Sequence, residues 1–223
     1  MSDPVAKTEL FDSLARVGKA LGSGSRLELL DLLAQGERSV EALAGAARLG
    51  VSTCSAHLQT LRQAGLVATR REGTKVHYRL AGNDVAALYA LLRDVAGTHF
   101  AQTVEARRTY LGADDTDAVD RDELRRRLAA GQVIAVDVRP GEEYTAGHIP
   151  GAVSIPLDQL TDRLDDLPAD LQVVAYCRGA YCVMAHNAVR LLNAHGRRAA
   201  RLHEGMLEWR LADLPVEATV TAA

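Results

Sequence analysis

The run Val173-Val174-Ala175-Tyr176 leads directly into Cys177-Arg178-Gly179-Ala180-Tyr181-Cys182, and a helical pattern follows at once in Val183, Met184, Ala188, Val189, Leu191 and Leu192. A short apolar strand, a tight polar loop and an immediate helix admit few architectures. The layout sets the Cys177 sulfur over a helix N-terminus, where unpaired N–H groups and the helix dipole favour an anion. A thiol so placed is expected below its usual pKa of about 8.5, as a nucleophilic thiolate at neutral pH.

The surrounding residues extend that layout. Val133 to Arg139 reads as a buried-type strand ending in charged residues, Glu142 to Ala152 as a loop, and Ser154-Ile155-Pro156 as the start of the next strand. Residues 158–166 are expected to be helical, 172–177 a strand, 183–195 a helix and 199–202 a further strand ahead of Gly205, Met206 and Trp209. Strands alternating with helices predict a parallel sheet with helices on both faces and ligands at the strand C-termini.

The front of the chain reads differently. Leu10, Leu14, Val17 and Leu21 space a helix over residues 8–21. Ser25 with Glu28 is expected to cap a second helix stopped at Gly36, and Ser39 opens a short third through Leu43 to Ala47. Leu49-Gly50 makes a tight turn before a fourth helix from Ser52 to near Gly65. In it Val51, Cys54, Leu58 and Leu61 form one apolar stripe. Ser52, Thr53, Ser55, Ala56, His57, Gln59 and Arg62 accompany that stripe as candidate base and backbone contacts, the pattern of a helix-turn-helix. Leu66 to Leu80 then reads as a hairpin turning at Glu72-Gly73. Its Arg70, Arg71, Lys75 and Arg79 suit a wing that meets phosphates.

Two cores are affordable: 223 residues at 48% hydrophobic content allow two domains of about a hundred residues each. Gly112 to Asp117 is small, acidic and aperiodic, and Asp120 with Glu123 forms a capping box after it, so residues 112–121 are expected to be the linker. The net charge of −3 hides an asymmetry: residues 1–112 hold 14 Lys and Arg against 11 Asp and Glu, and residues 113–223 hold 12 against 18. The basic excess lies where nucleic acid would be met. No apolar stretch reaches 18 residues and no signal pattern opens the chain, so a cytoplasmic protein is expected. Three cysteines in a reducing compartment argue against a disulfide framework.

Ser52-Thr53-Cys54-Ser55-Ala56-His57-Leu58-Gln59-Thr60-Leu61-Arg62-Gln63-Ala64-Gly65-Leu66-Val67 resembles the recognition helix and first wing strand of ArsR/SmtB-type repressors, with the likeness covering about residues 8–110. The resemblance implies an α+β winged helix-turn-helix domain over residues 1–111. It also implies a homodimeric repressor, joined through the first helix and a long helix at about 84–110, that binds double-stranded operator DNA. The usual sensor sites of that family are missing. Arg38 to Leu43 lacks the cysteine pair that binds heavy metals. Asp94, His99 and Glu105 lack the spacing of the zinc sites, and the long helix carries no cysteine for a persulfide-sensing dithiol. No metal and no cofactor are therefore expected, and Cys54 reads as a packing residue.

Asp137-Val138-Arg139, Glu143-Tyr144, Gly147-His148-Ile149-Pro150-Gly151-Ala152 and the later Tyr176-Cys177-Arg178-Gly179 together resemble a single rhodanese domain, an α/β fold with a parallel sheet, over about residues 122–217. The resemblance implies sulfurtransferase chemistry: Cys177 takes sulfur from a small sulfane-sulfur donor (thiosulfate, persulfide or polysulfide) and holds it as a persulfide. The amides of Arg178, Gly179, Ala180, Tyr181, Cys182 and Val183 would ring the sulfur as an anion nest. Arg178 would help hold an anionic donor, while Asp137, Arg139 and His148 brace the loops. Cys182 stands near enough to resolve a Cys177 persulfide. Phosphatase or arsenate chemistry is disfavoured, because the sixth position after Cys177 is Val183 where an arginine is needed. Two readings follow: a repressor responsive to reactive sulfur, or primarily a sulfurtransferase whose winged helix provides dimerisation or DNA tethering.

Overall fold

The computed structural model describes residues 3–113 and 115–219. The chain divides into two compact units, Met1–Tyr89 and Ala90–Ala223. The division falls ahead of the acidic stretch at 112–121, because side chains of residues 90–111 are committed to the second unit, among them Arg93 and the buried Leu111.

In the first unit, α1 (Pro4–Leu21) begins where the Asp3 side chain accepts from the Val5 N–H and Pro4 fills the first helical position. Helix α2 (Gly24–Leu33) contains Ser25 in its first turn rather than being capped by it; the flanking residue is Ser23, whose side chain makes no capping bond. After β1 (Arg38–Ser39), α3 (Val40–Ala46) is capped as expected, Ser39 Oγ accepting from Ala42 N–H at 3.2 Å. Helix α4 (Val51–Gln63) starts one residue ahead of Ser52. Cys54, Leu58 and Leu61 are buried as the stripe predicted, but Val51 is 51% exposed because the first turn projects beyond the core. Strands β2 (Val67–Glu72) and β3 (Lys75–Leu80) form the antiparallel hairpin, with Gly73 at φ 59° where the turn needs a left-handed residue. The sheet order is β1-β3-β2.

Helix α5 (Asn83–His99) follows, and α6 (Ala101–Leu111) is separate from it. The single long helix expected over 84–110 is thus broken at Phe100, whose extended backbone follows Gly97 and Thr98, two weak helix formers.

The second unit continues with β4 (Ala118–Val119), α7 (Arg121–Ala129), β5 (Val133–Asp137), α8 (Gly141–Ala146), β6 (Val153–Ser154), β7 (Gln172–Tyr176), α9 (Val183–Ala194), β8 (Ala199–Leu202) and α10 (Met206–Leu211). Its five strands are all parallel in the order β4-β8-β7-β5-β6. Asp120 caps α7 by accepting from Glu123 N–H at 2.8 Å. Residues 158–166 are not an α-helix; two single 3-10 turns, Leu157–Gln159 and Leu164–Asp166, occupy that region. Alternation along β7 explains why the sheet sits between helices. Val173, Ala175 and Cys177 face the core shared with α9, while Val174 and Tyr176 face the core shared with Leu124, Met206 and Trp209. Among the described residues no helix is long and apolar enough to cross a membrane.

Candidate functional site

Strand β7 delivers Cys177 at its C-terminal end, and α9 begins at Val183 with Cys182 in the capping position. The loop between them is held by main chain. The Cys177 carbonyl accepts from Met206 N–H and the Arg178 carbonyl from Leu207 N–H, both at 2.9 Å, and Cys182 N–H closes the turn onto the Gly179 carbonyl at 3.0 Å. Gly205 allows this approach of α10, since a Cβ there would lie 2.6 Å from the Cys177 carbonyl oxygen.

The two sulfurs differ in environment. Cys177 is 2% exposed and its Sγ donates to the Cys182 carbonyl at 3.4 Å, whereas Cys182 is only half-buried. Burial pushes the Cys177 thiol up, and the bonding and charge of neighbouring Cys182 push the same way, against the N–H groups of Ala185 and Gly179. Cys182 is drawn down, first by its bond from the Cys177 thiol and then by the N–H groups of Arg178 and Met184. The sequence expectation of a Cys177 thiolate in its own amide cradle is therefore corrected. The cradle is divided between two sulfurs, and the pair ionises first at Cys182 with the proton retained on Cys177.

Other loop residues are engaged elsewhere. Arg178, expected to grip an anionic donor, instead faces the buried Glu143 carboxylate, with Nε at 3.0 Å from both oxygens and a terminal nitrogen at 2.6 Å. Ala180 N–H is directed at Glu208 Oε1 at 3.4 Å. Tyr181 turns its hydroxyl to the Arg93 carbonyl at 3.3 Å, with the Arg93 and Arg107 guanidinium groups over its ring at 5.1 and 5.3 Å.

The predicted braces lie behind the loop. Asp137 and Arg139 are wholly buried together, with Arg139 also donating to the Gly147 carbonyl at 2.8 Å. His148 stacks on Tyr144 at 3.6 Å and places Nδ1 2.9 Å from the Tyr144 carbonyl. A cavity of 540 Å³ opens nearby, lined in part by Val138, Glu142, Leu157, Asp158 and Met184. Val138 and Met184 also pack with the core that holds Cys177.

In the first unit Ser52, Thr53, Ala56, Gln59 and Arg62 are exposed along α4, and Ser55 and His57 are half-buried. Gln59 donates from Nε2 to the Tyr78 hydroxyl at 2.8 Å, which ties the helix face to β3. On the hairpin, Arg70 is paired with Glu37 at 2.6 Å and Glu72 at 3.0 Å, while Arg71 and Lys75 are exposed and form no salt bridge among the described residues. Cys54 is wholly buried, and burial raises its thiol, as packing requires.

Residues 23–69 match the family model "Bacterial regulatory protein, arsR family", and residues 120–212 match "Rhodanese-like domain". An HTH-type transcriptional regulator of Mycobacterium tuberculosis is 57% identical over 211 residues, 95% of this chain and 93% of the relative. The chain is an ArsR-family transcriptional regulator with a C-terminal rhodanese-like domain. A sulfurtransferase of Allochromatium vinosum is 32% identical to the regulator over 101 residues, 45% of this chain and 94% of that protein. The homodimeric winged helix-turn-helix DNA-binding domain of a Mycobacterium bovis protein is 56% identical, covering 45% of the regulator and 91% of that chain, with a TM-score of 0.42.

Two residues of the loop's surroundings escaped sequence reasoning, and a third, Glu143, entered only as part of the Glu143-Tyr144 motif, without a role. Its stretch, expected as a loop, instead forms α8 (Gly141–Ala146), which carries Glu143 as a buried carboxylate facing Arg178. Glu208 and Arg93 lie 30 and more residues from Cys177 on α10 and α5, and only folding brings them to Gly179 and Ala180. The regulator's signal for Glu208 was limited to Gly205 and Met206 just before it.

Proposed function

We propose that the regulator is a homodimeric repressor responsive to reactive sulfur, in which loading of Cys177 weakens operator binding. The observation that carries this reading is the free thiol pair Cys177 and Cys182, held in a strand–loop–helix on the same chain as an ArsR-type helix-turn-helix.

The chemistry uses both thiols. The Cys182 thiolate takes the proton of Cys177, and the Cys177 thiolate attacks the outer sulfur of a persulfide donor. The new S–S bond forms as the donor's S–S bond breaks, with its electron pair leaving on the donor thiolate. Cys182 then attacks Cys177 Sγ, expelling hydrogen sulfide and leaving a Cys177–Cys182 disulfide. Because Arg178 faces Glu143 and the adjacent cavity carries Glu142 and Asp158, a persulfide or polysulfide of low charge suits the site better than the thiosulfate dianion. Sulfur must enter through an opened loop, since Cys177 is buried.

Dimerisation is supported by apolar side chains left exposed: Leu10, Phe11 and Leu14 on α1, and Leu91, Val95 and Val104 on α5 and α6. Operator contact is assigned to the exposed residues of α4 and to Arg71 and Lys75 of the wing. Removing either charge, in Arg71→Ala or Lys75→Ala, is expected to weaken binding uniformly across DNA sequences. Each change should flatten the dependence of log affinity on log salt by about one ion. Arg70→Ala should do less, because its charge is already matched by Glu37 and Glu72. Salt titrations of DNA binding check this; an Arg70 effect larger than that of Lys75 would contradict the assignment.

Cys182→Ser tests the second thiol. The variant, lacking the base that takes the Cys177 proton, is expected to load sulfur more slowly but to accumulate the Cys177 persulfide under polysulfide treatment, whereas the unaltered protein passes on to the disulfide. Intact-mass measurement over time distinguishes the two, and an equal persulfide lifetime would remove Cys182 from the reaction.

A further inference from the structure

Glu208, in the first turn of α10, is nearly buried and bonds three ways. It accepts from Ala180 N–H at 3.4 Å and from Gly205 N–H at 2.9 Å, and it pairs with Arg93 at 2.6 Å. The carboxylate and the guanidinium both lie against Gly179, where an added Cβ would stand 3.2 Å from Glu208 and 3.3 Å from Arg93. Arg93 is 8% exposed, contacts Asp94 at 3.2 Å and stacks over Tyr181. The thiol loop is thus pinned on one side by a buried ion pair whose cation belongs to α5. That helix starts at Asn83, in the first unit, and contributes Val85 and Tyr89 to the core there.

We propose that Arg93 and Glu208 are positioning residues of the Cys177 site: Glu208 holds the loop shut through Ala180, Arg93 holds Glu208 in place, and sulfur loading breaks this tie and frees helix α5. The proposal rests on the reading that Cys177 accepts sulfur.

The physical argument is one of competing anions. A persulfide ionises more readily than a thiol, so loading puts a negative sulfur and its added volume into a closed, packed loop. That anion competes for the Ala180 N–H and repels the Glu208 carboxylate across a site with little water. The charged groups facing the loop are Arg178 with Glu143 from α8, Glu208 from α10, Arg93 with Asp94 from α5, and Arg107 from α6 over Tyr181. Arg178 is already matched by Glu143, so it is the Arg93–Glu208 pair that yields.

The full-length protein carries the test, in the variants Arg93→Met, Arg93→Lys and Glu208→Gln. Thiol alkylation is followed against pH by peptide mass spectrometry, without any sulfur donor. Glu208→Gln removes a negative charge beside the loop and is expected to move the alkylation midpoint to lower pH. Arg93→Met leaves Glu208 uncompensated and is expected to move it higher, and Arg93→Lys to restore it. A merely structural role would shift both variants alike. Operator affinity is then measured before and after polysulfide treatment on a Cys182→Ser background, where the Cys177 persulfide persists, with Cys177 loading read from the same samples. The Cys182→Ser protein is expected to lose about tenfold or more in affinity on loading, and its Arg93→Met and Glu208→Gln derivatives to lose at most about twofold at equal loading. Midpoints that shift together or stay still, or an undiminished affinity loss in loaded variants, would overturn the proposal. If the unaltered protein takes up no sulfur, the underlying reading fails instead, and the alkylation profiles still decide the positioning role.

Discussion

Cys177→Ser is expected to take up no sulfur and to stay on its operator when polysulfide is added, while the unaltered protein is released with a loss in affinity of about 5- to 150-fold. That range corresponds to about 1–3 kcal/mol, the usual size of coupling between two sites. The serine hydroxyl fits the same space but cannot form the S–S bond, so the loop keeps its contacts to Met206 and Leu207 and only the chemistry is lost. Gel-shift or fluorescence-anisotropy titrations with and without polysulfide, beside intact mass, measure both effects. A variant that still releases DNA normally would move the sensor away from Cys177. A protein that transfers sulfur catalytically but whose operator affinity ignores the donor would favour the enzyme reading over the regulatory one.

Asp137→Ala is expected to destabilise the second unit by about 3–5 kcal/mol, the usual cost of stripping one partner from a buried ion pair. Asp137 and Arg139 are both wholly buried. Arg139 bonds Asp137 from Nε at 2.9 Å and from a terminal nitrogen at 2.5 Å, and its own N–H reaches Asp137 Oδ1 at 3.0 Å. Without the carboxylate the guanidinium stays charged among Tyr176 and the Gly147 carbonyl and loses the acceptor that both its Nε and a terminal nitrogen reach. The protein holds one tryptophan, Trp209, which is 2% exposed in the same unit, so its fluorescence reports this unit's unfolding alone. Urea titration followed at Trp209 should show the midpoint falling, with Asp137→Asn losing less because the amide oxygen still accepts. An unmoved midpoint would mean that the pair contributes no net stability.

Periodicity carried most of the architecture. The buried stripe of α4, the basic hairpin and the β7–loop–α9 unit are all local patterns, and local patterns follow from side-chain spacing of 3.6 or 2 residues. The misreadings share one cause: each involved a segment whose conformation depends on what it packs against. Residues 158–166 are charged and leucine-spaced, as a helix would be, yet form only single turns beside α9. Helix α5 stops at Phe100 although apolar spacing continues through Val104.

The site divides along the same line. Sequence alone determined that a cysteine closes a strand before a helix, that a second cysteine follows five residues later, and that a winged helix precedes them. Those are statements about neighbours along the chain. Which sulfur carries the charge was decided by tertiary structure, because burial of Cys177 and the sharing of amides with Cys182 depend on how tightly α9 and α10 close over the loop. The partners of the loop's charges were decided there too. Glu143 for Arg178, and Glu208 for Arg93, come from elements distant in sequence, and a buried charge must find its counterion in space rather than along the chain.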